Sequence, residues 1–224
     1  MQVPDAAEFY GRAEVHTIEH RLSQLYWTGL PRSPIPATRI FPQLSAQRSV
    51  AQKLAEKGIP SGGPYAVLQP GARLEGMRWP VGKFAEIARW LRTRYGIASV
   101  VNWAAQDESI DGETKKEMKG CAIIPDQLNI RELIALISEA RLFVGNDSGP
   151  AHIASALQRP TVVIFSQTDP AQWRPLHAES RVVSTGAEFE HPRGDRAVLV
   201  NHPPPVSSIS VDEVKEACAQ LVGL

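Results

Sequence analysis

The sequence predicts an α/β protein, a parallel sheet with helices on both faces, and three observations carry that prediction. From Tyr65 onward, short runs rich in β-branched and apolar residues alternate with longer helical runs. Alternation of this kind builds βαβ units. Two of the short runs, Leu142-Phe143-Val144 and Thr161-Val162-Val163-Ile164-Phe165, are apolar apart from Thr161, as strands buried on both faces are. Between them lies GNDSGPAHIASALQRP, a turn followed by a helix with a proline at its start.

Taken in order, AEFYGRAEVHTIEHRLSQLYWTG places Val15, Ile18, Leu22 and Leu25 at three- and four-residue intervals. This spacing predicts one amphipathic helix, with Gly29 as its left-handed stop. LPRSPIPATRIFPQL follows with four prolines and cannot continue a helix. It reads as an extended connector, which sets a boundary: residues 1–44 form a linker helix and Pro-rich connector, and residues 45–224 a domain. A short helix runs from Ser45 as N-cap to Gly58. The series that follows is strand Tyr65 to Gln69, helix from about Pro80 to Tyr95, strand Ala98 to Asn102, polar helix near Glu108 to Lys119, and strand Ala122 to Ile124. It continues with helix Asn129 to Ala140, strand Leu142 to Gly145, helix Pro150 to Leu157 and strand Thr161 to Ser166. A last helix starts at Ser210, where Ser-Val-Asp-Glu fits a capping box.

Composition narrows the function. Of 224 residues, 43% are hydrophobic and 21% charged, ordinary for a folded globular chain. Twenty-four Lys and Arg balance 24 Asp and Glu, so there is no whole-molecule positive field, and nucleic acid is not an expected partner. Cys121 and Cys218 have neither metal-ligand nor disulfide-framework spacing and read as reduced structural thiols. No apolar run approaches the roughly 18 residues of a membrane span, and MQVPDAAEF is no signal peptide, so the expected location is the cytoplasm.

In an open parallel sheet, ligands bind beyond the carboxyl ends of the strands, which puts GNDSGP at a binding edge. The start of the Pro150 helix offers free N–H groups and a positive dipole end to a phosphate, and Gly149 lets a ligand approach the backbone. Asp147 would repel phosphate unless it faces sugar hydroxyls or a backbone N–H. A ligand with both phosphate and polyol resolves that conflict; the competing reading is that Asp147 and Ser148 merely cap the helix. Ser148 as a hydrolytic nucleophile fits poorly, because the nucleophile elbow is G-x-S-x-G and the order here is Gly145-Asn146-Asp147-Ser148-Gly149. His152, in the first helical turn, reads as a buried, hydrogen-bonded support for the loop rather than a base. A second loop, QPGARLEGMRWPVGKF, breaks its strand at Pro70-Gly71 and carries Arg73 and Arg78, whose planar forks suit a diphosphate; the alternative is that both are solvated. A third, NWAAQDES, could reach a base or ribose.

YAVLQPGAR, RWPVGKFAEIARWL, LFVGNDSGPAHIASALQRPTVVIF and SQTDPAQWRP, in this order and at about this spacing, resemble glycosyltransferase family 9, the ADP-heptose:lipopolysaccharide heptosyltransferases. The third stretch is similar to the family's D-[S/T]-G-x-x-H-x-A-A-x-L-x-x-P signature. The resemblance spans roughly residues 14 to 190 and implies a Rossmann-like domain, the C-terminal half of a GT-B enzyme. It further implies metal-independent, inverting sugar transfer with no cofactor, from an ADP-heptose-like donor to a lipopolysaccharide-type acceptor. On it, the Ser148 and Gly149 backbone holds the diphosphate, Asp147 lies near the donor sugar, Arg73 and Arg78 serve the phosphates, Gln106 the ribose, and Gly71 and His152 support the loops. Two positions depart from the pattern: Met77 replaces the family's phosphate lysine, and Gln106 a frequent ribose glutamate. The family's N-terminal domain, with the acceptor surface and the general base, would precede the first helix, where the chain leaves no room for it. The expectation is therefore a donor-binding half that meets a separate N-terminal-type domain or self-associates, peripheral at the inner membrane, the competing class being an inactive nucleotide-sugar-binding or interaction protein.

Overall fold

A computed structural model of the protein describes residues 6–32, 34–102, 108–191 and 197–223. The elements are α1 (Ala6–Tyr10), α2 (Thr17–Tyr26), α3 (Leu44–Glu56), β1 (Tyr65–Gln69), α4 (Val81–Tyr95), β2 (Ala98–Val101), α5 (Glu108–Met118), α6 (Ile130–Ser138) and β3 (Leu142–Asn146). They continue with α7 (Gly149–Ala156), β4 (Thr161–Phe165), α8 (Pro170–Trp173), β5 (Ser180–Ser184), β6 (Phe189–Glu190), β7 (Val198–Leu199) and α9 (Val211–Val222). Five strands form one sheet in the order β2-β1-β3-β4-β5, every pairing parallel, and β6 pairs with β7 as a small antiparallel ribbon.

The two-residue period of the strands divides the core. Ala66, Leu68, Leu142, Val144, Val162 and Ile164 point to one face, where Phe84, Ile87 and Leu91 of α4 and Val214, Cys218 and Leu221 of α9 cover them. Val67, Phe143, Val163 and Phe165 point to the other, under Val50 and Leu54 of α3, Leu136 and Ile137 of α6, and Ala151 and Ala154 of α7. Helices on both faces are thus the packing solution for strands that are apolar on both sides. Both cysteines are free and buried, and burial pushes the Cys218 thiol up to about 12, as befits an inert core sulfur.

Four expectations are corrected. The first segment is two helices, not one: Gly11 takes a left-handed φ of 67° after α1, and α2 starts afresh at His16, whose side chain accepts from Ile18 N–H in a capping box with Glu19. α3 starts two residues early, with Gln43 rather than Ser45 at its N-cap, while Gly58 does stop it at φ 93°. Residues 122–124 form only a bridge from Ile123 to Val100, because Pro125 follows at once and can offer no further ladder donor. α7 begins at Gly149, which makes Ser148 its N-cap. The sequence reading also lacked α8, β5 and the β6–β7 ribbon.

Candidate functional site

The strand order reverses direction between β1 and β3: β2 is laid down outside β1, and β4 and β5 outside β3. Chains leaving the carboxyl ends of β1 and β3 therefore part to opposite faces and open a crevice, the topological switch point at which such sheets bind ligands. The two loops that the sequence singled out, after Gln69 and after Asn146, flank this crevice.

Buried amides hold the crevice in shape. Asn146, fully buried at the end of β3, donates through Nδ2 to Pro70 O at 2.6 Å and accepts at Oδ1 from Trp79 N–H at 3.1 Å. One side chain thereby fixes both ends of the β1–α4 loop. Beside it, Asn102 Nδ2 donates to Gln69 Oε1 at 2.6 Å, tying β2 to β1. Gly145, paired with Gln69, must be glycine: a Cβ there would lie 2.8 Å from Gln69 Cβ and 2.9 Å from the Phe143 ring. Trp79 is buried against Phe84 and donates its indole N–H to Ile209 O at 3.0 Å, which anchors the loop to the approach to α9.

The turn after β3 is tied to its neighbour across the sheet. Thr168, in the loop after β4, donates its hydroxyl to Asp147 Oδ2 at 2.6 Å, and His152 Nε2 stands 3.9 Å from Asp147 Oδ1. Burial holds the Asp147 carboxyl above its ordinary range, opposed by the Thr168 hydrogen bond and the His152 charge. Ser148 turns its hydroxyl back to Asn146 O at 3.0 Å, and α7 has no side-chain cap. Ser148 thus holds the N-cap position through its backbone, and the side chains of Asp147 and Ser148 do not cap the helix. Gly149 is exposed, and a Cβ on it would meet no protein atom within 4 Å. The first turn of α7 accordingly faces open space.

The structure brings Asp147, Ser148 and Gly149 together in that turn, with Gly71, Arg73 and Arg78 across the crevice on the β1–α4 loop. Gly71 is buried, Arg73 is exposed, and half-buried Arg78 braces its own loop by donating Nε to Ala72 O at 2.9 Å. Met77 is buried, unlike exposed Arg73. His152 departs from expectation: its side chain is 47% exposed, because Ala151 and Ala154 form the buried stripe of α7 and its position lies off that stripe. Gln106 lies outside the described residues.

Sequence reasoning missed Asn102, Asn146 and Thr168 as organisers of the site, and also His16. A cleft of about 640 Å³ runs along α7 from His152, lined also by His16, Ile35, Ser155, Trp173 and His177. His16 Nε2 donates to Arg174 O at 2.9 Å, and His177 Nε2 to Arg159 O at 2.8 Å. Burial lowers both imidazole pKa values.

A doubly wound parallel sheet with helices on both faces and a glycine at the helix start beside its switch point defines a domain of the Rossmann-like α/β class. Residues 22–198 match the model for glycosyltransferase family 9 (heptosyltransferase), and the chain belongs to that family. It is 33% identical over 165 residues to lipopolysaccharide heptosyltransferase 3 of Escherichia coli, covering 71% of this chain and 47% of that protein. Among solved structures it resembles a family 9 glycosyl transferase from Veillonella parvula, with a TM-score of 0.77 and 18% identity over 92% of this chain and 60% of that one. It also resembles an E. coli heptosyltransferase solved with ADP, with a TM-score of 0.62 and 19% identity over 90% of this chain and 56% of that one. The chain spans about half the length of the curated relatives it matches.

Proposed function

We propose that this chain is the donor-binding half of a GT-B glycosyltransferase that moves a heptose-type sugar from a nucleoside diphosphate to a lipopolysaccharide-type acceptor. In this reading residues 1–44 are the linker and residues 45–224 the donor domain. The observation that carries it is the open space before Gly149 at the start of α7, with the carboxylate of Asp147 beside it. Backbone N–H groups and the helix dipole there suit a diphosphate, and Asp147, held by Thr168, suits the hydroxyls of the sugar. The acceptor hydroxyl attacks the anomeric carbon from the face opposite the diphosphate. Its oxygen forms the new bond as the anomeric C–O bond to phosphate breaks, and the electron pair departs with the diphosphate that the turn stabilises. The proton passes to a base on a facing, N-terminal-type domain. The exposed side chains of Leu25, Trp27 and Leu30 support such a docking partner, or self-association, next to α2.

The test incubates the chain with radiolabelled ADP-heptose and a lipid A–Kdo acceptor, with and without the N-terminal domain of a family relative. Donor retention by the chain alone, with acceptor labelling only when the second domain is added, is the expected result. Labelling by the chain alone contradicts the division of labour, and absence of donor retention contradicts the function.

A further inference from the structure

A second cavity, of about 520 Å³, lies at the opposite pole of the sheet and has no part in the site above. Its walls include Arg48 of α3, Tyr65 at the start of β1, Arg141 immediately before β3 and Arg159 two residues before β4. These are the amino ends of the strands, so a five-residue strand puts about 16 Å between this cavity and the crevice at Gln69 and Asn146.

The charge there is unbalanced. Three guanidinium groups face one carboxylate, Glu139, which already accepts from Gln47 Nε2 at 2.9 Å. Arg141 donates weakly to Val222 O at 3.3 Å. Arg159 Nε is buried and has no acceptor among the described residues. A buried N–H without an acceptor costs about 1 to 3 kcal/mol, so something should repay its placement. Gln158, just before Arg159, holds a left-handed φ of 56°, the one non-glycine residue to do so among those described. It closes α7 in a Schellman turn, with Gln158 N–H donating to Ser155 O at 2.9 Å and Arg159 N–H to Ala154 O at 3.0 Å, and the turn sets Arg159 at the cavity.

From this cluster we infer a second ligand site, at the amino pole of the sheet, which takes a phosphate-type oxyanion between Arg48, Arg141 and Arg159. The planar guanidinium fork matches two phosphate oxygens, and an oxyanion supplies the acceptor that Arg159 Nε lacks. The phosphate is either free or displayed on an anionic lipid headgroup, since the chemistry at the arginines is the same. The inference is independent of the donor reading, because no residue is shared.

Calorimetric titration of inorganic pyrophosphate, with ADP at saturation to occupy the crevice, tests the site. Arg159→Ala and the exposed Arg48→Glu should each weaken pyrophosphate by about ten- to a hundredfold, the loss expected for a charged hydrogen bond, with ADP affinity unchanged. Arg48→Glu keeps the test decisive if Arg159→Ala fails to fold. In parallel, sedimentation is measured with phosphatidylcholine vesicles with and without phosphatidylglycerol. Pyrophosphate binding without sedimentation identifies a free phosphate ligand; sedimentation that needs phosphatidylglycerol and is lost in Arg48→Glu identifies a headgroup. Binding of neither probe, or binding that neither substitution alters, overturns the inference.

Discussion

Thr168 donates to Asp147 Oδ2 across 2.6 Å and so joins the loop after β4 to the turn after β3. A carboxylate this buried, with a single hydroxyl donor close to it and an imidazole 3.9 Å away, is not placed for stability. Its pKa is raised by burial, so the protonated form fits the fold better. That favourable contribution is present below the ordinary carboxylate pKa and is lost as pH rises through the folded value. Asp147→Asn, which keeps an acceptor for Thr168, should therefore raise the thermal midpoint at pH 7. It should leave ADP affinity unchanged and weaken ADP-heptose by about tenfold, as loss of a charged contact to the sugar would. Scanning calorimetry and titration with both ligands check it; an unchanged ADP-heptose affinity removes the sugar contact.

Asn146 clamps both ends of the β1–α4 loop. Asn146→Leu leaves Pro70 O and Trp79 N–H without their partner, at about 1 to 3 kcal/mol each, so urea unfolding should show a loss of about 2 to 6 kcal/mol. A loss below about 1 kcal/mol would mean that another group satisfies both ends.

Arg78 braces Ala72 O and lies on the side of the crevice where a diphosphate would sit. Arg78→Ala should weaken ADP binding by about 1.5 to 3 kcal/mol, measured by titration calorimetry. Met77→Lys should not strengthen it, since position 77 is buried and a lysine there would have to leave water. Parent-like ADP affinity in Arg78→Ala would make the loop a scaffold only.

His16 caps α2 as an acceptor at Nδ1 while Nε2 donates to Arg174 O, which requires the neutral ring. Burial lowers its pKa and that of His177, so below about 6.5 the unfolded chain takes up protons that the fold refuses. Stability should be full above that value and fall as pH drops from it toward the lower folded values. His16→Asn, which can still cap, should flatten part of that slope in thermal melts between pH 7 and pH 5; an unaltered slope would assign it elsewhere.

The sheet was legible because each strand from β1 to β4 is a short apolar run beside a long amphipathic one, and packing and local preference agree there. The turn at 147–149 was legible for a related reason: only a strand end followed by a helix start explains Gly149-Pro150 after Leu142–Asn146. What stayed hidden depended on distant partners. Nothing local says that Asn146 reaches Pro70 and Trp79, or that Thr168 reaches Asp147, because these bonds cross 21 to 76 residues of chain. β5 was missed because Ser180–Ser184 is an edge strand, half exposed and flanked by polar residues, so its pattern is weak. The break between α1 and α2 was missed because the apolar spacing that marks the helix, Val15 to Leu25, lies wholly after Gly11 and carries no signal for the residues before it.

The account rests on the first turn of α7 receiving a diphosphate, and Gly149→Val tests it most directly. The added side chain meets no protein atom within 4 Å of its Cβ position, so the fold should survive, as circular dichroism and the thermal midpoint would show. It would instead fill the space in which the phosphate must sit. Calorimetric titration with ADP should give a binding isotherm for the parent and none for Gly149→Val. Equal ADP affinity in the two folded proteins would contradict the central claim.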